Sequence, residues 1–335
     1  MAKGSKKSRT KSEKKTGKKS GKRAAEKIAK ATRKAERKAE SAAAAAQDAA
    51  AAGLAARRDA AIELLRAQPD LRLTDVDPGA TPGFDGSRSD GERALATMGD
   101  ELSDLQERLF AHGRTGGDRS VLLVLQGLDT AGKGGIVRHV LGLVDPQGVE
   151  LHSFGVPSAE ERRHHYLWRV RRALPRAGRI GVFDRSHYED VLVARVDGLV
   201  APDVWQLRYD EINSFEAKVA AAGTTIVKVA LWVSPDEQYR RLRERLERPD
   251  KLWKYSPSDV DVRTKRPAYE DAYQDVLDRT STDVAPWYVV PADSKWYARL
   301  AVSALLHRAL SDLELGWPAA GYDVDTELAR LDATR

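Results

Sequence analysis

Residues Val121 to Gly135 read Val-Leu-Leu-Val-Leu-Gln-Gly-Leu-Asp-Thr-Ala-Gly-Lys-Gly-Gly, an apolar run that breaks into a glycine-rich loop carrying a single lysine. The unbroken aliphatic stretch Val121 to Leu125 fits a parallel strand buried on both faces, and Ile136, Val137, Val140, Leu141 and Val144 recur at helical spacing. The pattern G-x-x-x-x-G-K over Gly127 to Lys133 is therefore a strand-to-helix turn. In such a turn backbone N–H groups and the helix N-terminus converge on an anion, while the lysine ammonium reaches terminal phosphate oxygens. The segment reads as a phosphate cradle, and Gly127, Thr130, Ala131, Gly132 and Gly134 are its candidate backbone contacts.

Position 134 is glycine, so the hydroxyl that commonly follows the cradle lysine and binds magnesium is missing. Asp129 inside the loop and Asp184 at the end of the apolar strand Arg179 to Phe183 are the candidate replacements. Two carboxylates beside a phosphate site suit magnesium, held directly or through water, with manganese as the alternative ion. The competing assignment makes Asp184 a helix cap and Asp129 a turn former.

At 335 residues the chain can bury a sizeable core. It has no cysteine, which removes disulfides and thiolate chemistry and suits a reducing cytoplasm. No apolar run reaches the length of a membrane span, and the basic N-terminus lacks the apolar stretch of a signal peptide. The net charge of +6 conceals two regions of opposite sign. Residues 1–40 hold 17 Lys and Arg against 4 Asp and Glu, which leaves 39 against 46, a net of −7, for the remainder. Residues 1–56 are expected to form a basic arm, disordered at its Lys/Ser/Gly start and partly helical where Ala, Lys and Glu dominate. Such an arm either binds polyanions nonspecifically by counterion release or only solubilises the chain.

Residues 57–100 are an approach segment, and residues 101–315 form the main domain, with residues 316–335 as a tail. The expected elements are a helix over Glu92–Leu109, strands at Val149–Phe154, Arg179–Phe183, Thr224–Val233 and Trp287–Val290, and helices over Glu160–Ala173, Val204–Ala221, Pro235–Glu247 and Lys295–Leu310. Strands alternating with helices indicate an α/β fold, a parallel sheet covered on both faces.

One segment, at about residues 240–268, interrupts the alternation with recurrent Lys and Arg interleaved with Trp253 and Tyr255. A mobile basic flap anchored by those aromatics would exclude water from a phosphate site. The alternative is a solvated helical corner. His164, His165 and His187 lack ligand spacing and read as packing or surface positions.

Five boxes occur in order: Gly127 to Gly135, the run Glu161 to Arg169 ending Tyr-Leu-Trp-Arg, Phe183-Asp-Arg-Ser-His-Tyr-Glu-Asp-Val-Leu192, Pro249-Asp-Lys-Leu-Trp-Lys254 and Ala285-Pro-Trp-Tyr-Val-Val-Pro291. Together they resemble the polyphosphate kinase 2 family over about residues 65–312. The resemblance implies a three-layer αβα P-loop kinase-like fold with a helical lid. It also implies phosphoryl transfer between inorganic polyphosphate and a nucleoside mono- or diphosphate, with magnesium, in a homo-oligomer. By position it implies that Asp129 and Asp184 hold magnesium and phosphates, that Lys133 binds the transferring region, and that Arg185 and Arg169 clamp phosphate. It maps lid contacts onto Arg245, Lys251 and Lys254, and gives Glu189 to members that accept both AMP and ADP. Asp184, where related boxes carry asparagine, and His165, where aspartate is common, instead resemble monophosphate-specific members, so the acceptor stays open. An ATP-dependent small-molecule kinase of the same fold, and a nucleotide-sensing polyanion-binding protein, are the alternatives.

Overall fold

The computed structural model describes residues 58–335 together with Lys34 and Lys38, so the arm expected over residues 1–56 otherwise lies outside the described residues. Residues Asp59–Arg335 form one unit.

β1 (Ser120–Gln126) is buried along its whole length. Side chains alternate across a strand, so Val121, Leu123 and Leu125 enter one apolar cluster while Leu122 and Val124 enter the other. This two-sided burial makes β1 the centre of a five-stranded parallel sheet ordered β2-β3-β1-β4-β5, with β2 at Val149–Ser153, β3 at Ile180–Asp184, β4 at Thr224–Trp232 and β5 at Trp287–Pro291.

Helices cover both faces, giving three layers. Leu102 and Leu109 of α1 (Arg88–Arg114), Ile136 of α2 (Lys133–His139) and Val302 and Leu306 of the last core helix pack on one side. Leu167 and Val170 of α3 (Leu167–Arg172), Tyr209 and Ile212 of α4 (Pro202–Ala221), and Tyr273 and Val276 of a later helix pack on the other. The later helices are α5 (Pro235–Glu247), α6 (Ser258–Thr264), α7 (Arg266–Thr280) and α8 (Lys295–Ser311). α1 begins at a reciprocal cap in which Ser87 and Asp90 bond each other's backbone N–H, worth about 1 kcal/mol.

Parallel strands end on one side of the sheet. There the chain leaves neighbouring β1 and β4 in opposite directions along the sheet order, which opens a crevice. The register pairs Leu125 with Asp184, setting the end of β3 beside the glycine-rich loop.

The structure departs from the expected elements in three places. The single helix expected over Glu160–Ala173 is a 3-10 turn, Glu161–Arg163, followed by the short α3. Ser158 and Glu161 do cap each other's N–H, but extended backbone at His164 breaks the run. The pattern over Ile136–Val144 is helical only to His139 and continues as a 3-10 turn at Leu141–Leu143. The helix Val324–Asp332 in the tail was not expected, whereas Ser258–Thr264 falls within the helical lid that the resemblance implies. No described helix is long and apolar enough to cross a membrane.

Beneath the box that follows β3 lies a buried polar network that the strand pattern of β4 conceals. Lys228, in the middle of β4 and fully buried, donates to Glu216 Oε2 at 2.6 Å, the Tyr188 hydroxyl at 2.9 Å and the Thr280 carbonyl at 2.7 Å. Glu216 Oε1 also accepts from the Tyr188 hydroxyl at 2.8 Å and lies 3.0 Å from His187 Nε2. His187 is thus a packed core residue, as its sequence context suggested.

Candidate active site

The loop between β1 and α2 is set by three residues with positive φ: Gly127 at 153°, Thr130 at 68° and Gly132 at 121°. A Cβ on Gly127 would lie 2.8 Å from the Leu231 carbonyl, so glycine is needed where the loop passes over β4. The loop's N–H groups divide into two sets. Ala131 N–H is used internally, donating to the Leu128 carbonyl at 3.0 Å, whereas those of Thr130, Gly132, Lys133 and Gly134 find no acceptor among the described residues. A concave row of unpaired donors is an anion site. Lys133 Nζ bonds the Gly127 carbonyl at 2.5 Å, which holds the ammonium over that row. Burial lowers the pKa of Lys133, and the Asp129 carboxylate opposes the shift.

The loop after β3 supplies the facing wall. Ser186, not Asp184, is the cap: its hydroxyl accepts from Tyr188 N–H at 3.2 Å and from Gln126 Nε2 at 3.0 Å. Asp184 therefore remains a lining residue of the crevice. Arg185 adopts φ 64°, a costly region for a non-glycine residue, while its N–H bonds the Leu125 carbonyl at 3.1 Å. Its guanidinium reaches Asp129 Oδ1 at 3.2 Å, tying the two loops together. Glu189 is half-buried behind them; burial raises its pKa against the pull of Arg185 and Lys133.

These groups line a cavity of about 740 Å³ whose walls carry nine Lys and Arg against three acidic residues, Asp129, Asp184 and Glu244. Of the residues singled out in the sequence, Asp129, Thr130, Ala131, Gly132, Lys133, Gly134, Asp184, Arg185, Arg245, Lys251 and Lys254 line it together. Gly127 lies beneath the loop. Arg169 stands elsewhere: it is buried, donating to the Gly155 carbonyl at 2.9 Å and paired with Asp190 at 3.5 Å, outside the cavity lining.

The lid cations already have partners. Arg245 bonds Asp259 and the Lys254 carbonyl, both at 3.1 Å, and Lys251 bonds Glu244 at 2.5 Å. Trp253 does not pack the segment down as expected. It is 77 % exposed, because its indole N–H bonds the Asp250 carbonyl and its ring lies 4.9 Å from the Lys254 ammonium.

Sequence reasoning missed Arg138, Lys295 and Arg299, which complete the basic wall. Lys295 and Arg299 are one helical turn apart at the start of α8, a legible spacing, but only the fold brings that turn to the cradle.

No group of three or more His, Asp or Glu residues is arranged as a metal site among the described residues. Two carboxylates in a phosphate crevice nevertheless fit a hard ion that takes its remaining ligands from water and substrate oxygens.

The model of the polyphosphate kinase 2 (PPK2) family matches residues 85–315. The chain is 45 % identical over 255 residues to the AMP/ADP-polyphosphate phosphotransferase of Meiothermus ruber, covering 76 % of this chain and 94 % of that one. It is 41 % identical over 261 residues to the ADP-polyphosphate phosphotransferase of Rhodopseudomonas palustris, covering 73 % and 86 % respectively. The crystal structure of polyphosphate kinase 2 from Arthrobacter aurescens TC1 superposes with a TM-score of 0.79 at 50 % identity, covering 81 % of this chain and 96 % of that one. Over the length of sheet, cradle and lid, the chain belongs to the polyphosphate kinase 2 family.

Proposed function

We propose that this chain transfers a phosphoryl group from inorganic polyphosphate to AMP and ADP. The observation that carries the reading is the continuity of the unpaired N–H groups of Thr130, Gly132, Lys133 and Gly134 with a trough lined by nine cationic side chains. A single terminal phosphate needs only the row, whereas a long polyanion needs the trough. The names of the Meiothermus and Rhodopseudomonas relatives support the same donor and acceptors.

An oxygen of the acceptor phosphate attacks the terminal phosphorus of the chain, and the bridging oxygen leaves with the shortened polyphosphate. The attacking oxygen is already ionised near neutral pH, so no general base is required. Catalysis rests on alignment and on spreading charge. The loop N–H groups and Lys133 hold the transferring region, and Arg185, fixed by Asp129, clamps the equatorial oxygens. Asp129 and Asp184 would hold Mg2+, which supplies charge neutralisation when bound. Arg245 and Lys251, after exchanging their present carboxylate partners for phosphate, grip the donor chain from the lid together with Lys254, whose ammonium lies over the Trp253 ring. Arg169 and Glu189 support the acceptor side through the walls they buttress. We assign the activity to the cytoplasm and to a homo-oligomer, with the basic arm gathering polyphosphate.

The test is incubation of the purified protein with polyphosphate and AMP or ADP, in the absence of ATP. ATP formed through ADP supports the proposal; product only from added ATP transfers the assignment to an ATP-dependent kinase. Lys133→Ala should lower turnover by at least about a hundredfold with the fold retained. A variant as fast as the wild type would remove Lys133 from the mechanism.

A further inference from the structure

The peptide planes of the glycine-rich loop are held from behind. Gln238 and Arg241, both on α5, are buried at 0 % and 4 % exposure. Gln238 Nε2 donates to the Asp129 carbonyl at 3.2 Å. Arg241 donates through one terminal nitrogen to the Thr130 and Ala131 carbonyls at 2.9 and 3.1 Å. Its other terminal nitrogen reaches the Ala292 and Asp293 carbonyls at 2.6 and 2.9 Å, and its Nε reaches Glu237 at 2.6 Å. Every N–H of the guanidinium is therefore used on the protein, and none is left for a ligand.

In a trans peptide the carbonyl of one residue and the N–H of the next point in opposite directions. Pinning the carbonyls of Asp129 and Ala131 to α5 consequently aims the N–H groups of Thr130 and Gly132 away from α5, and those are two of the unpaired donors of the cradle. Thr130 at φ 68° would not hold this orientation unaided.

The same helix continues into the lid. Arg245, four residues beyond Arg241 and on the same stripe, bonds Asp259 of α6. The return limb closes the circuit, since Arg263 and Arg266 donate to Gln238 Oε1 at 3.2 and 3.3 Å.

We infer that Gln238 and Arg241 are positioning residues that orient the cradle's N–H donors and couple their orientation to the lid. The inference rests on the reading of the loop as a phosphate site. It is tested with Gln238→Met, close in volume but unable to relay, and Arg241→Lys, which keeps the charge but not the fork. Each full-length variant is measured well below its melting temperature by three readouts: equilibrium binding of inorganic tripolyphosphate, hydrogen exchange over the loop 127–133 and the lid helix Ser258–Thr264, and kcat against KM.

The expected result is roughly tenfold weaker tripolyphosphate binding, faster exchange in the loop that in Gln238→Met extends to the lid helix Ser258–Thr264, and kcat lower by about a hundredfold, the scale set by a misdirected anion-hole donor. Wild-type affinity and loop exchange in either folded variant would overturn the inference and leave these residues as ordinary packing. Failure of the wild-type protein itself to bind tripolyphosphate would overturn the cradle reading and this inference together.

Discussion

Removing the ammonium of Lys228 with Lys228→Met tests the network beneath the active-site box. The substitution preserves most of the side-chain volume, so the cost is electrostatic rather than a cavity. Glu216, 1 % exposed, would keep its carboxylate with only Tyr188 and His187 beside it. In the intact protein burial pushes the Glu216 pKa up, but the Lys228 ammonium and the His187 hydrogen bond outweigh it and hold the pKa below the ordinary 4.5.

Without Lys228 the network relieves the stranded charge by taking up a proton. At pH 7, protonating a carboxylate of ordinary pKa 4.5 costs about 3.4 kcal/mol, from about 2.5 units at 1.36 kcal/mol each. The Thr280 carbonyl also loses its donor, so the expected loss is about 3–5 kcal/mol, the range for breaking a buried ion pair. The sign with pH is fixed. The folded variant binds a proton that the unfolded chain at pH 7 does not, so its stability deficit shrinks as pH falls from 7 toward 4.5, by up to about 1.4 kcal/mol per unit. Urea unfolding of wild type and variant at pH 7 and pH 5.5 measures both quantities. A deficit below about 1 kcal/mol, or one that does not shrink at pH 5.5, would refute the assignment of Lys228 as the counter-charge of Glu216.

Three further outcomes are expected. Gly127→Ala should destabilise the fold by about 1–3 kcal/mol in urea because φ is 153° and the Leu231 carbonyl lies at 2.8 Å from the new Cβ, whereas Gly134→Ala, with open space around it, should not; equal effects would contradict this. Glu244→Gln should lower the apparent KM for polyphosphate roughly threefold at low salt, since the carboxylate that holds Lys251 competes with phosphate. A KM that stays the same or rises would show that Lys251 does not meet the donor. The alkaline limb of kcat/KM should fall below pH 10.5, because burial depresses the Lys133 pKa and the ammonium is lost earlier as pH rises. In Lys133→Arg that limb should vanish from whatever activity remains, as guanidinium stays charged.

Much of the site was legible locally. The strand, glycine-rich turn and lysine at 121–133 are contiguous, and their geometry follows from two-sided burial and the φ values that glycine permits. Asp184 and Arg185 were legible as the end of an apolar strand, and parallel pairing of β1 with β3 brings that end to the cradle. Periodicity located α4, α5 and α8 within a few residues because long helices average over many side chains. It failed at Glu160–Ala173, where one extended residue, His164, divides the run.

What the tertiary structure decided is how distant charges are spent. Lys228 interrupts the apolar run of β4, and nothing local names its partner until α4 carries Glu216 over it. Arg241 looked like one of several lid cations, yet the turn of α5 commits it to carbonyls of the loop and of the segment after β5. Lys295 and Arg299 join the cavity only because α8 begins beside the cradle. Local sequence sets backbone conformation and the period of burial through short-range sterics and solvation. The partner of a buried charge is chosen by which elements the fold packs together, and in this protein those partners lie from 12 to 111 residues apart.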